Sequence, residues 1–353
     1  MENKVKSVVI SDKCIIKNAI KQLNENRLQI LLVVDDDDRF VGTVTDGDIR
    51  RAILDNVSLE QPVSTIMNKK PKYVYRGQEE VAKELMIKYK IKTIPVIDNE
   101  KRVIDLILME EFIGVKCEYS KKNNSVFIMA GGKGTRLDPF TKILPKPLIP
   151  IGDKPIIEII MKNFKNYGFN DFIISLNYKA EIIKLYFAEN PDGYNIDFVH
   201  EKEFLGTAGS LRLAIDKLNN TFIVSNCDVI IDIDFDELLK YHEKSGNDAT
   251  IVGVVKNMQI PYGVMDVNNG ELINMIEKPE YNFVINSGVY VLEPELIRLI
   301  PDGQSFNMPD LLLKSKDYGY KVGVYPVSSK WFDVGQWEEY RSTLEYFKKV
   351  DSV

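Results

Sequence analysis

Histidine and cysteine are scarce in this 353-residue chain. His200 and His242 are too few for a histidine-rich metal cluster or a histidine-dependent nucleophile triad. His200 is read as a strand-end residue and His242 as a helix-surface one. Cys14, Cys117 and Cys227 are odd in number and far apart, and point to neither a disulfide framework nor a zinc site. No apolar run is long enough to span a bilayer, and the N-terminus lacks a cationic stretch followed by an apolar core, so a cytoplasmic protein with no membrane partner is expected. Excess basic charge is missing as well. The 46 Lys and Arg against 52 Asp and Glu leave a net charge of −6, which argues against a nucleic-acid binder. The remaining composition, 44% hydrophobic and 28% charged, is that of a globular protein long enough for two domains.

The most informative stretch is Ala130-Gly131-Gly132-Lys133-Gly134-Thr135-Arg136-Leu137, followed by Leu144-Pro145-Lys146-Pro147-Leu148. It follows Ser125-Val-Phe-Ile-Met129, which reads as the first buried strand of an α/β sheet. Glycine lets backbone N–H groups approach phosphate oxygens closely, and Arg136 and Lys146 add charge that backbone dipoles cannot supply. A Walker loop needs Ser or Thr after Gly-Lys, where Gly134 stands, and a dinucleotide fingerprint needs glycine where Leu137 stands. A bare strand-to-helix turn is the plain structural alternative. The ordered arginine, and the lysine between two prolines, favour a triphosphate grip.

G-G-x-G-T-R-L followed by L-P-K-P-L resembles the signature of the sugar-1-phosphate nucleotidyltransferases. Further blocks follow in that family's order: Phe204-Leu-Gly-Thr-Ala-Gly-Ser210, Asn226-Cys-Asp228, Tyr262-Gly263, Glu277-Lys-Pro279, Asn286-Ser-Gly288 and Trp331-Phe-Asp-Val-Gly335. The resemblance implies nucleotide binding by Ala130, Gly131, Gly132, Gly134, Thr135, Gly206, Thr207 and Gly209. It implies catalytic roles for Arg136, Lys146 and Asp228, and a Mg²⁺ ion held by Asp228 and Asp333. It also implies sugar-phosphate contacts from Tyr262, Gly263, Glu277, Lys278, Asn286 and Gly288. An octahedral, oxygen-seeking cation held by one or two carboxylates and substrate phosphates suits such chemistry. Each aspartate also fits a turn or helix cap, and Glu-Lys-Pro and Asn-x-Gly are common surface turns. Asp232, Asp234 and Asp236 read as capping and first-turn charges of the next helix, outside the site.

The N-terminal third carries an ungapped repeat. Leu32-Val-Val-Asp35 recurs as Pro95-Val-Ile-Asp98, an offset of 63 residues, and at the same offset Arg39 meets Arg102, Val44 meets Ile107 and Asp48 meets Glu111. Each copy has a helix-period segment, Ala19 to Asn26 and Val81 to Tyr89, then two short apolar strands. Gly42-Thr-Val-Thr-Asp-Gly-Asp48 with this pattern resembles a tandem pair of CBS domains, βαββα modules that often bind adenosyl nucleotides and associate in twos. An adenine or guanine nucleotide near Thr45 and Asp48, and a homo-oligomer, are what that resemblance implies. Both residues also suit a helix cap. Asp35 to Asp38 lacks the spaced ligands of a calcium loop and reads as a solvated hairpin turn.

The expected architecture is α/β: a Rossmann-like, mostly parallel sheet in a nucleotidyltransferase domain, preceded by the CBS pair. The boundaries are 1–60 and 61–118 for the repeats, 119–124 for a linker that begins to read as such from Lys116, and 125–353 for the catalytic domain. Leu205-Gly-Thr-Ala-Gly209 is similar to the mannose-type guanylyltransferases, and a CBS pair ahead of such a core is similar to glucosamine-1-phosphate guanylyltransferases. GTP and glucosamine 1-phosphate are therefore the expected substrates. Uridylyl, thymidylyl or cytidylyl transfer, with mannose or heptose 1-phosphate, is the alternative. A nucleotide-sensing binding protein with an inactive core is the alternative outside enzymes.

Overall fold

The computed structural model describes residues 5–26, 28–109, 112, 119–189 and 193–351. Glu111, Cys117 and Lys116 lie outside the described residues. The chain forms two compact units. One comprises residues 1–117, 253–286 and 326–329, and the other 118–252, 287–325 and 330–353.

In the first unit the repeat seen in the sequence is repeated in the backbone. Strand Val9–Ser11 runs parallel to Ile30–Val34, which pairs antiparallel with Phe40–Thr45. Val74–Tyr75, Thr93–Ile97 and Val103–Leu108 repeat that order and those directions. Even the irregularity recurs: the register shifts between Val33 and Val34 in one copy, and between Val96 and Ile97, 63 residues on, in the other. The cause is the hairpin. The Asp35 carboxylate accepts from the Asp37 and Arg39 amides and the Asp98 carboxylate from Arg102, tightening each turn by the same device. Helices Ile16–Glu25 and Glu79–Tyr89 lay Ile16, Ala19, Ile20 and Leu23, or Ala82 and Met86, on these sheets.

The same unit contains a two-stranded ribbon, Val264–Asn268 against Glu271–Ile276, whose Met265, Val267, Leu272 and Met275 are exposed. It leads into the long strand Glu280–Leu292.

The second unit is built on a seven-stranded sheet. In spatial order its strands are Asn195–His200, Asp171–Leu176, Val126–Met129, Phe222–Asn226, Glu280–Leu292, Ala249–Gln259 and Val322–Val327. The first four run parallel, and Phe222–Asn226 pairs antiparallel with Glu280–Leu292. Phe127, Ile173 and Val224 pack against Leu211, Leu296 and Leu311 in one core. Each such side chain contributes about 1.5–3 kcal/mol by leaving water. Helices Ile156–Asn166, Ala180–Ala188, Phe235–Ser245 and Met308–Asp317 supply buried stripes to this unit, and the chain continues into helix Trp337–Asp351. Among the described residues no helix is long and apolar enough to cross a membrane.

His242 departs from the expected surface position. It is buried, with Nδ1 at 2.8 Å from the Thr250 hydroxyl and Nε2 at 3.0 Å from Glu293. Thr250 lies in strand Ala249–Gln259 and Glu293 just past the end of strand Glu280–Leu292, so nothing in the helix pattern around His242 announces them. His200 ends its strand, exposed, as expected. Asp234 caps helix Phe235–Ser245, accepting from the Asp236 and Glu237 amides.

Candidate active site

Three parallel strands aim their carboxyl ends at one place, where ligands collect in open α/β sheets. Val126–Met129 lies between Asp171–Leu176 and Phe222–Asn226, and its loop begins with the Ala130 amide donating to the Ser175 carbonyl at 3.1 Å. Gly131 has no room for a side chain, since a Cβ there would lie 2.4 Å from Glu201 Oε1. Gly132 faces open space and Lys133 is exposed. Gly134 opens the 3-10 turn Thr135–Leu137 and rests on the stem of Lys146, 2.9 Å from its Cβ if it carried one. Arg136 stands exposed on that turn with no acidic partner among the described residues.

Lys146 starts the turn Lys146–Leu148, is buried, and forms an ion pair with Asp228. Burial alone would lower the pKa of its ammonium. The attraction of Asp228, with Asp333 behind it, outweighs that and raises it. Asp228 follows the end of strand Phe222–Asn226 by two residues. The next strand, Val229–Ile231, pairs antiparallel with Trp331–Asp333, placing Val229 opposite Asp333, and the Val334 amide donates to the Asp228 carbonyl at 2.9 Å. Two aspartates more than a hundred residues apart are thus held side by side by a short ladder.

Gly335 shows how close they are. A Cβ at that residue would lie 2.7 Å from Asp333 Oδ1, 3.0 Å from Asp228 Oδ2 and 3.2 Å from Lys146 Nζ. The two carboxylate oxygens therefore lie no more than 5.7 Å apart, the sum of the first two distances. Side-chain rotation can close such a gap to the span of one hard cation, whose oxygen ligands lie about 2.1 Å from a Mg²⁺ centre. Among the described residues no group of three or more His, Cys, Asp or Glu could hold a metal. The donor set fits an ion that keeps water and substrate oxygens in its shell. Cys227, between the sheet and Asp228, is buried and its thiol is pushed up to about 12, chiefly by burial, so it stays neutral.

Helix Gly206–Gly209 lies against residues 304–308. The Ala208 and Gly209 amides donate to the Phe306 carbonyl, and the Met308 amide to the Thr207 hydroxyl. Gly206 has φ +78°, and a Cβ there would strike the Phe306 carbonyl at 2.6 Å. Its small size is consumed by the chain's own packing.

Among the sugar-side residues, the first unit brings four together. The Lys278 amide reaches the Tyr262 carbonyl at 3.3 Å, and Glu277 Oε2 lies 3.0 Å from where a Gly263 Cβ would be. Asn286 lies in the same unit, on the strand that leads to Gly288. Gly288, in the second unit, lies beside Asn226, and Trp331 Nε1 donates to the Ser287 carbonyl.

At the start of helix Asp46–Leu54 the Thr45 amide and hydroxyl both donate to Asp48 Oδ2 at 2.8 Å, while Arg51 pairs with Asp48 Oδ1. The two residues engage each other in the first turn. It is Asp46 that reaches outward, accepting from both the amide and the hydroxyl of Ser328.

Glu201 was missed by sequence reasoning. It is 2% exposed, accepts from the Leu205 amide at 3.0 Å, and burial raises its pKa against that hydrogen bond. The only available signal was a carboxylate just past the end of strand Asn195–His200 and five residues before Gly206.

A family model described as nucleotidyl transferase matches residues 125–349, and one described as CBS domain matches residues 4–55 and 63–116. The mannose-1-phosphate guanyltransferase of Saccharomyces cerevisiae is 38% identical over 241 residues, covering 63% of this chain and 64% of its own length. The UTP–glucose-1-phosphate uridylyltransferase of Synechocystis sp. is 33% identical over 243 residues, covering 62% of each. The chain thus spans a little under two thirds of the length of these curated relatives. HddC from Yersinia pseudotuberculosis superimposes with a TM-score of 0.52 at 29% identity, covering 64% of this chain and 99% of that one, and its structure is also known complexed with GMP-PN. A UDP-glucose pyrophosphorylase at 20% identity and a TM-score of 0.50 shares the fold. The match extends from the glycine loop past Asp333 into the final helix, and on that ground the chain belongs to the nucleotidyl transferase family, with a tandem pair of CBS domains ahead of it.

Proposed function

We propose that the chain transfers GMP from GTP to a sugar 1-phosphate, foremost glucosamine 1-phosphate, releasing pyrophosphate and a GDP-sugar. The observation that carries this reading is the convergence of Lys146, Asp228 and Asp333 around Gly335, with the glycine loop resting on the lysine stem. In this reading a sugar-phosphate oxygen attacks the α-phosphorus and pyrophosphate leaves in line, with no covalent enzyme intermediate. Both reactants are anions, so the work of the protein is to bring them together and offset charge on the phosphoryl oxygens.

Arg136, exposed and without an acidic partner among the described residues, is suited to the β and γ phosphates. Lys146, in leaving Asp228, would meet the α-phosphate. Asp228 and Asp333 would hold Mg²⁺, which when bound supplies positive charge against the phosphates. Tyr262, Gly263, Glu277, Lys278, Asn286 and Gly288 are assigned to the sugar phosphate.

The yeast mannose-1-phosphate guanyltransferase and the GMP-PN complex of HddC support guanine, and the yeast relative favours mannose 1-phosphate as the competing sugar. The Synechocystis relative supports UTP as the competing nucleotide. An adenine or guanine nucleotide near Thr45 and Asp48 belongs to the same reading. Binding there exchanges the Arg51 contact of Asp48 for ligand hydroxyls. A homo-oligomer associating through the N-terminal repeats is the expected assembly, which sedimentation checks. A cytoplasmic location belongs to the same reading, in keeping with a nucleoside triphosphate as substrate.

Pyrophosphate release is the test, with Mg²⁺ and each common nucleoside triphosphate paired with a panel of sugar 1-phosphates. Release with GTP and glucosamine 1-phosphate alone is the expected result. Release with no pair overturns the reading in favour of a nucleotide-sensing binding protein.

A further inference from the structure

One segment that the proposed chemistry needs is held by the first N-terminal repeat. Helix Ile16–Glu25 presents Lys17 and Lys21 on one side, four residues apart, as neighbours one turn from each other must be. Both ammonium groups reach the same oxygen, Glu280 Oε2, at 2.6 Å and 3.5 Å, and the Asn257 amide donates to it at 3.3 Å. The Lys17 and Glu280 side chains are only 15% and 25% exposed, so the pair is less screened than an ordinary surface contact. The hydrogen bond from Lys17 holds the Glu280 carboxyl below its usual pKa.

Glu280 directly follows Glu277-Lys278-Pro279. Lys278 there adopts a left-handed backbone, φ +47°, and the Ile260 amide closes the turn on the Pro279 carbonyl. Glu280 also begins the continuous strand that carries Asn286 and Gly288. A second contact of the same repeat is the Asp46 carboxylate, which takes both donors of Ser328. Asp46 lies between Thr45 and Asp48, in the turn assigned to a regulatory nucleotide.

We propose that Lys17 and Lys21 are positioning residues for the sugar phosphate: by gripping Glu280 they set the Glu277–Lys278 turn. The N-terminal repeat is then a structural part of one substrate's site. This rests on the sugar-phosphate role assigned to that turn. A shift at the first repeat acts through Glu280 on the affinity for the sugar phosphate, and GTP binding by the glycine loop is left unchanged.

The experiment uses the full chain and steady-state kinetics with GTP and whichever sugar 1-phosphate the wild type turns over. Lys17→Glu and Glu280→Lys are each expected to raise KM for the sugar phosphate by about fivefold, the scale of a partly screened ion pair. KM for GTP should stay within about twofold. The charge-swapped pair Lys17→Glu with Glu280→Lys should return the sugar KM close to the wild-type value, which a loss of folding would not do. Unchanged sugar KM in both single variants overturns the proposal, as does an equal rise in both KM values that the swap fails to reverse. A wild-type chain that turns over no sugar phosphate rejects the proposed function itself, and this inference with it.

Discussion

Replacing Lys146 by methionine removes the cation that is buried against Asp228. The side chains of the pair are about a tenth exposed, 11% and 10%. Breaking a buried pair on one side leaves the other charge uncompensated, a loss of about 3–5 kcal/mol. Asp333 lies close enough to repel the orphaned Asp228, which puts the loss toward the upper end. For a domain of this size such a loss lowers the thermal midpoint by about 6–20 °C. Turnover should fall by about a hundredfold or more, since one well-placed cation is worth roughly 3 kcal/mol of barrier. Two further measurements separate the causes. Asp228→Asn added to Lys146→Met should recover most of the stability and none of the activity. If Asp228 and Asp333 hold Mg²⁺ as proposed, the ion should raise the midpoint of Lys146→Met more than that of the wild type, because it would replace the missing charge between the carboxylates. A midpoint unchanged by Lys146→Met, or a double variant no more stable than the single one, would refute the reasoning.

The glycine loop offers a paired control. Gly131→Ala drives a methyl group into the buried Glu201 carboxylate and should cost about 1–3 kcal/mol, whereas Gly132→Ala, facing open space, should cost under about 0.5 kcal/mol; denaturant unfolding of both variants checks this. A different readout probes the far end of the sheet. The hydrogen bond from His242, opposed by burial and aided by Thr221, holds the Glu293 carboxyl below its ordinary 4.5, so its contribution to stability is present above that pH and is lost as pH falls through the lower folded value. Glu293→Gln should therefore flatten the acid limb of a stability-versus-pH curve below pH 4.5. An acid limb as steep as that of the wild type would refute that assignment.

Sequence alone determined the local features of this protein. The 63-residue offset of the repeats, the buried strand before the glycine loop and the cap at Asp234 follow from residue type and spacing within a few positions. So does the list of candidate cations and carboxylates, because charge and flexibility belong to the residues themselves. Tertiary structure decided what those residues meet. The adjacency of Asp228 and Asp333 is made by pairing two short strands from distant parts of the chain. The burial of His242 requires Thr250, in strand Ala249–Gln259, and Glu293, just past the end of strand Glu280–Leu292. Gly335 closes a recognisable motif, yet only the fold shows that the space it leaves keeps three charged groups together. Glu201 carries no distinguishing neighbours along the chain, and it comes up against Gly131 only because the strands before them, on either side of Asp171–Leu176, end at the same edge of the sheet. Spacing along a chain records what one helix turn or hairpin can bring together, and contacts across a sheet are fixed only when strands choose their partners.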